Sequence, residues 1–396
     1  MILPGVSWDE NSKRVTATIS YNWRLNIATM FFFMFVQVVV PLIPRYALVM
    51  GLQPFAIGLA TSSVSITAIA FRPFGGFVSD RWSRTKLMII GVLLVSISYV
   101  VLALSRDVNT IMASRMLEGI AVALFVPSSI ASAVDYAPEG RVGEALGWRS
   151  LTIGIGFSLG PALGGFIAEL LGYNRTFMVT AFLVLAVIPL IATCKESPHE
   201  WASSLTREYT SGLKDLRFLL AFSSSIVHSI AWMGLLTFLS AYLKLQGYGD
   251  LEIGLFVTIQ AAVSLLVRPF AGRAADVRPC LTTALGLLIV SASFFAIYLF
   301  EVPPLLYIAS LVLGLGMGIY IPSSQTLALA NAPANSRGFL SSIYTMGMDV
   351  GMLSGPTMFG ALIERANSYQ VAFLISPFLT LVSAIVLLPY ALKTNT

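Results

Sequence analysis

Charged side chains are scarce in this chain, so those standing inside apolar sequence are the first candidates for chemistry. Arg115, Glu118 and Asp349 each lie deep in a long apolar run. A charge in such a place is costly and faces a cavity or a partner. Arg115 and Glu118 are three residues apart, so on a helix they share a face and can pair. That pair is either purely structural or part of a coupling site. Asp349 has no basic neighbour one helical turn away. A lone buried carboxylate exchanges its proton as its hydration changes, which is what a proton-coupling site requires. The alternative is that Asp349 pairs with Arg115 across a cavity. His228 stands midway along another apolar run, beside Ser225 and Ser229. It is either a buried imidazole bonded to a serine, or a cavity ligand and second proton site.

Other chemistries find no footing. Cys194 and Cys280 are the only cysteines, at no metal or redox spacing, and are expected to be free thiols. The two histidines, His199 and His228, exclude a histidine-rich metal site. No nucleophile, metal or cofactor motif suggests an enzyme, and no P-loop suggests a nucleotide-driven pump. No cofactor is expected, and a proton gradient is left as the driving force.

The elements that must position these residues are membrane-spanning helices. Hydrophobic residues make up 57% of the chain and charged residues 11%, with a mean hydropathy of +0.83. A soluble domain carries about 25% charged residues, and even a large one cannot hide this much apolar surface. Twelve runs are long enough to cross a bilayer. They are Arg24–Ala47, Pro54–Val78, Leu87–Leu104, Thr110–Val134, Glu144–Leu171, Phe177–Cys194, Phe218–Leu243, Ile253–Gly272, Leu281–Phe300, Pro303–Ala330, Phe339–Ile363 and Val371–Leu392. The polar start, with Trp8, Asp9, Glu10, Lys13 and Arg14, is not expected to be a cleavable leader.

The basic residues orient the spans. With the N-terminus in the cytoplasm, Lys13, Arg14, Arg24, Arg81, Arg84, Lys86, Arg141, Arg149, Lys195, Arg207, Lys214, Arg217, Arg273, Arg278, Arg337 and Lys393 lie inside. Arg45, Arg106, Arg175, Lys244 and Arg365 lie outside. Both termini are therefore expected in the cytoplasm. This distribution accounts for the net charge of +5 and pI of 9.2 without a nucleic-acid partner. Arg72 and Arg268, at span edges, are expected to snorkel toward the membrane surface.

The chain repeats itself at half its length. Ile57-Gly58-Leu59 recurs as Ile253-Gly254-Leu255 and Arg72-Pro73-Phe74 as Arg268-Pro269-Phe270, both at an offset of 196. Pro127-Ser128-Ser129 recurs as Pro322-Ser323-Ser324, and Gly156, Gly160 and Pro161 as Gly351, Gly355 and Pro356, at an offset of 195. The expected organisation is a six-helix half over 1–194, a linker over 195–217 and a second six-helix half over 218–396. Two such halves enclose a cavity near the midplane and expose it to each side in turn. The residue matching Asp349 in the first half is Gly154, so the repeat itself did not require that carboxylate.

Three motifs then resemble those of the major facilitator superfamily. Gly76-Phe77-Val78-Ser79-Asp80-Arg81-Trp82-Ser83-Arg84-Thr85-Lys86 is similar to the family's signature loop between spans two and three. It departs at Ser83, where glycine is usual, and its second basic residue is displaced to Lys86. Arg115-Met116-Leu117-Glu118-Gly119 resembles the family's Arg-x-x-Gln/Glu-Gly motif. Gly156-Phe157-Ser158-Leu159-Gly160-Pro161-Ala162-Leu163-Gly164-Gly165 resembles the span-five motif of its drug/proton antiporters.

The resemblance implies an all-α integral membrane fold with twelve transmembrane helices in two pseudo-symmetric halves. It implies a cytoplasmic gate in which Asp80, with Arg81, sits at the N-terminal end of span eleven, while Arg84 pairs with Asp135. Asn26, Gln37, Trp232, Tyr320 and Gln325 belong to helices that line the cavity in this family. Gly156, Gly160 and Gly164 make one flat helix face, as do Gly351 and Gly355. With Pro161 and Pro356, which permit bending, they suit both close packing and a sliding seal between the halves. The expected function is proton-coupled efflux of small amphipathic molecules by a monomer in the plasma membrane. The alternative is a proton symporter or facilitator for uptake of a sugar, organic acid or other metabolite, with Arg115 binding an anionic substrate. A non-transporting sensor is disfavoured because no signalling domain is appended.

Overall fold

The computed structural model describes residues 8–79, 82–136, 142–194, 212–300, 303–329, 331 and 337–393. Among them the chain forms α1 (Trp8–Val39), α2 (Ile43–Val49), α3 (Pro54–Ser79), α4 (Arg84–Ala103), α5 (Val108–Asp135), α6 (Val142–Leu171), α7 (Tyr173–Leu185), α8 (Val187–Ala192), α9 (Leu216–Leu245), α10 (Asp250–Val277), α11 (Pro279–Leu299), α12 (Leu305–Leu329), α13 (Arg337–Ala366) and α14 (Gln370–Lys393). No strand occurs among the described residues.

These helices make twelve spans because two spans are broken by proline. A 3-10 turn over Val40–Leu42 separates α1 from α2. Pro41 and Pro44 remove the backbone donors that would have carried the helix through. Pro189 does the same to span six: its ring conflicts with the carbonyl four residues earlier, at Leu185, where α7 ends. Eleven spans are long and apolar enough to cross a bilayer. The other, α13, has 30 residues but is diluted by glycine, serine, threonine and Asp349. It packs between α9 and α3, so its polar positions need not meet lipid.

Local capping is legible residue by residue. Ser83 starts α4 by accepting the Lys86 backbone N–H at 3.1 Å, which explains a serine where the family's loop has glycine. Asp107 starts α5 by accepting the Thr110 N–H at 2.9 Å and its hydroxyl at 3.0 Å. Those donors hold the Asp107 carboxyl below the usual carboxylate range.

The helices before and after the linker region meet along two seams, α6 on α10 and α3 on α13. The seams are repeat copies of one contact. A Cβ on Gly58 would stand 2.3 Å from the Pro356 carbonyl oxygen, and one on Gly254 would stand 2.4 Å from that of Pro161. Glycine is required at both places because backbone meets backbone.

The other glycines correct an expectation. Gly156, Gly160 and Gly164 face α1, against Met30, Gln37 and Val38. Gly351 and Gly355 face α9, against Ser229 and Ile230. These ridges bind helices within one half and do not slide between the halves. Small residues on that face let long helices approach closely where lipid supplies no hydrophobic drive. At the seam itself stand Pro161 and Pro356, through their carbonyls.

A direct test uses α6 alone. A Cβ on Gly164 would lie 2.2 Å from the Val38 carbonyl oxygen, whereas one on Gly147 meets nothing within 4 Å. Gly164→Ala is expected to destabilise the protein by about 1–3 kcal/mol through overpacking, and Gly147→Ala to leave it unchanged. Thermal unfolding of both variants in detergent checks this; equal midpoints would contradict the assigned contact.

Candidate functional site

With twelve spans, the start of α1 at Trp8 and the end of α14 at Lys393 lie at one end of the bundle, the terminal end; the opposite end is the far end. At the terminal end Arg84, the first residue of α4, forms an ion pair with Asp135, the last residue of α5. Two of the expected gate residues are thus brought together. Asp80 and Arg81 lie outside the described residues.

Arg115 and Glu118 also pair, within α5, each with about 2% of its side chain exposed. The pair is sealed inside one half, and Arg115 does not reach Asp349. Asp349 is not alone either. Its Oδ1 accepts a hydrogen bond from Arg72 Nη2 at 2.9 Å, so Arg72 does not snorkel. The interaction spans 277 residues of sequence and joins α3 to α13 across a seam. Asp349 lies 12 residues into the 30 of α13, near mid-membrane depth. Its second oxygen, Oδ2, is buried without a hydrogen-bond partner.

A cluster at the far end was missed by sequence reasoning. Arg45, expected at the outer end of span one, is fully buried. Its Nε donates to the Pro41 carbonyl at 3.0 Å, and its Nη1 donates to the carbonyl and Oδ1 of Asp250, both at 2.9 Å. Asp250 also accepts from Lys244 Nζ at 2.8 Å and from the Tyr173 hydroxyl at 2.8 Å. The proline break in span one turns Arg45 inward, and the start of α10 favours a carboxylate there. The cluster ties α2 to α10 and so bolts the halves together at this end. Beside it, Asn174 Nδ2 donates to the Ala103 carbonyl at 2.7 Å and to the Tyr46 hydroxyl at 3.2 Å. The signal available in the sequence was an arginine set between two prolines and a tyrosine in otherwise apolar chain.

The expected cavity residues divide. His228 is buried, packs its ring on Tyr320 with centroids 4.4 Å apart, and leaves Nδ1 unbonded. At that atom the serine-bonded alternative is not realised. The Tyr320 hydroxyl lies 3.4 Å from Ser224 Oγ. Trp232 stacks on Phe294 with centroids 6.5 Å apart. Asn26 is buried with its Oδ1 unbonded. Gln37 packs against Gly160 in the α1–α6 contact, and Gln325 is exposed. A cavity of about 420 Å³ between α9 and α14, lined by Leu220, Val227, Phe378 and Val382, contains none of these residues.

Arg149, expected on the cytoplasmic side near the start of span five, is buried inside α6 and donates from Nη2 to Ser129 Oγ at 2.7 Å.

The family model of the Major Facilitator Superfamily matches residues 25–333 and, in a second match, 221–395. The chain belongs to the Major Facilitator Superfamily. It is a multi-pass membrane transporter of small molecules and not an enzyme. It is 26% identical to Multidrug resistance protein 1 of Bacillus subtilis, over 91% of this chain and 93% of that one. It is 27% identical to the multi-drug resistance efflux pump PmrA of Streptococcus pneumoniae, over 90% and 94%. The fold is similar to that of a bacterial homologue of the human lysosomal transporter Spinster, with a TM-score of 0.78 at 15% identity, over 94% and 96% of the two chains. It is also similar to that of the nucleoside transporter NupG, with a TM-score of 0.73 at 16% identity, over 93% and 98%.

The far-end cluster yields a prediction. Asp250→Ala strands the buried Arg45 charge, and breaking a buried pair this way costs roughly 3–5 kcal/mol. The variant is expected to melt lower and to exchange amide hydrogens faster over 43–54 and 245–252. Wild-type exchange in both segments would mean that the cluster does not hold the far end shut.

Proposed function

We propose that this transporter exports small amphipathic organic molecules in exchange for protons. It works as a monomer in the plasma membrane, with the terminal end in the cytoplasm. The observation that carries the reading is the Arg72–Asp349 pair, an ionisable link between the halves near mid-membrane depth. The multidrug-resistance names of relatives aligned over nine-tenths of the chain support the efflux direction.

The proton carrier in this reading is Asp349. A proton entering from the far side adds to Oδ2, the oxygen without a partner, so it need not first displace Arg72. The neutral carboxyl then no longer holds the guanidinium, and the α3–α13 seam loses its charged tie. Loss of a proton to the cytoplasm restores it. Cycling therefore requires that the pair be made and broken once per turn, and a differential of a few kcal/mol is enough to shift such an equilibrium. Trp232, His228 and Tyr320 supply the aromatic surface for substrate, and Arg115–Glu118 keeps its charge neutral within one half. The Arg84–Asp135 pair, with Asp80, closes the cytoplasmic side.

Proteoliposomes with an acidic lumen test this. Wild-type protein is expected to accumulate an amphipathic dye against its gradient and to stop when nigericin collapses the pH difference. Asp349→Asn is expected to lose gradient-driven accumulation while still exchanging dye for dye. Wild-type accumulation in that variant would overturn the proton role. Proton entry that accompanies dye uptake in the same direction would favour the symport alternative.

A further inference from the structure

The two seams end in the same contact at the far end. A Cβ on Gly360 of α13 would stand 2.5 Å from the Pro54 carbonyl oxygen, at the start of α3. A Cβ on Gly165 of α6 would stand 2.3 Å from the Asp250 carbonyl oxygen, at the start of α10. These positions are repeat copies: Gly165 and Gly360 at an offset of 195, Pro54 and Asp250 at 196. One helical turn beyond each glycine, on the same face, stands a glutamate. They are Glu169 and Glu364, again at an offset of 195. Glu364 Oε2 accepts the backbone N–H of Phe55 at 3.3 Å, and Glu169 Oε2 accepts that of Leu251 at 3.3 Å. Phe55 and Leu251 are copies too, at 196. Each half thus reaches across a seam and caps the first turn of a helix in the other.

Neither glutamate suits its own helix. Both lie in the last turn, since α6 ends at Leu171 and α13 at Ala366. The helix dipole is negative there and disfavours a carboxylate. The receiving helices, in turn, lack a cap of the usual kind. The residues just ahead of them are Gln53 and Gly249, and neither has the short oxygen-bearing side chain that holds first-turn N–H groups. Those donors have no partner inside the helix, so the answering carboxylate comes from the opposite half. The Arg45–Asp250 cluster is not duplicated in this way, because the copy of Asp250 is Pro54. The two glutamate caps are the symmetric part of the far-end closure. Both glutamates are also exposed, so their charge follows the acidity of the solution on that side.

We propose that Glu169 and Glu364 are a matched pair of latches that hold the far end shut while ionised and release it when acid on that side protonates them. They are positioning residues that act through the N-termini of α10 and α3. The closed arrangement favours the charged carboxylates, and the open one leaves them to water. Their contribution is therefore present at neutral pH and is lost as the pH falls. Other titratable and charged groups share this end. Around Glu169 they are Asp250 and Glu252 of α10 and Tyr173 and Arg175 of α7. Around Glu364 they are Arg365 on α13, Tyr242 and Lys244 on α9 and Tyr369 ahead of α14; the first turn of α3 brings none. A carboxylate at a helix N-terminus shifts a two-state equilibrium about two- to fivefold. The two contacts are separate, so together they shift it about four- to twenty-fivefold. The inference is independent of which molecule is carried and in which direction.

The test is the distance between spin labels on Asn109→Cys and Gln246→Cys, measured on the full chain in nanodiscs without substrate or gradient. Both positions are exposed, uncharged and at the far end of opposite halves, and the native Cys194 and Cys280 are buried. The otherwise unaltered chain is expected to show mainly the short distance at neutral pH and to gain the long one on acidification to about pH 4. Glu169→Gln and Glu364→Gln keep the side-chain shape and remove the charge. Each is expected to raise the open-to-closed ratio at neutral pH about two- to fivefold, and the double variant to raise it by the product and to respond less to acid. Asp349 and the Arg45–Asp250 cluster are intact in every variant, so the acid response that persists belongs to them. An unchanged ratio in the double variant, a double variant no more open than either single one, or an undiminished acid response overturns the proposal. A parent chain that does not open in acid overturns it without any glutamate variant. Failure of these latches would leave the antiport reading standing, and lost proton coupling at Asp349 would leave the latches standing.

Discussion

The bilayer offers no partner to a charge, and the arrangement of this molecule follows from that constraint. Each ionisable side chain within a span must be answered by another part of the protein, because an unanswered one is expensive. Arg115 is answered within its own helix by Glu118, so it constrains the fold of one half and nothing else. Arg45 and Arg72 are answered by Asp250 and Asp349 in the opposite half. Those two pairs constrain where the halves stand relative to each other. The distinction between a structural ion pair and a mechanical one is thus which half holds the partner.

The seams separate what symmetry supplies from what function adds. Gly58 against Pro356 and Gly254 against Pro161 are the same backbone contact made twice. They allow two helices to press together without side chains between them, a surface on which the halves can pivot. Around that shared contact the charges differ. One seam joins Arg72 to Asp349; on the other, Gly154 stands at the position that matches Asp349 and meets Leu265. A duplicated backbone with unduplicated charge is what a machine needs if its two seams are to respond to different things.

The spans and the Arg115–Glu118 pair were legible in the sequence because they are local, whereas the Arg84–Asp135 pair, 51 residues apart, was legible only through the family resemblance. Apolar runs count themselves, and residues three apart on a helix meet by geometry. The proline breaks at Pro41 and Pro189 follow from the same local rules. The partners of Arg45, Arg72 and Asp349 were not legible, since they lie 205 and 277 residues away in the other half. The glycine ridges were readable as flat faces, but spacing says nothing about which neighbour a face meets; they turned out to serve α1 and α9. Arg149 was rightly inside the expected span from Glu144, but its burial against Ser129 was not legible, because spacing along one helix does not say which neighbour a side chain meets.

The far-end cluster has one more consequence for how the halves move. A buried ion pair contributes little net stability, because desolvation offsets much of the attraction, yet separating its partners without water is very unfavourable. Arg45 is fully buried and Asp250 nearly so. Opening the far end is therefore favourable only if water enters as the guanidinium and carboxylate part, for then each charge exchanges its partner for solvent. A slightly open, still dry end has neither the pair nor the water. The cluster thus raises intermediate positions more than either end state, and two arrangements of the halves are selected over a continuum. Lys244 and Tyr173 on the same carboxylate sharpen this, since three donors must be rehydrated together. A transporter benefits directly: a half-open path would leak, and the arrangement that costs the most is the leaky one.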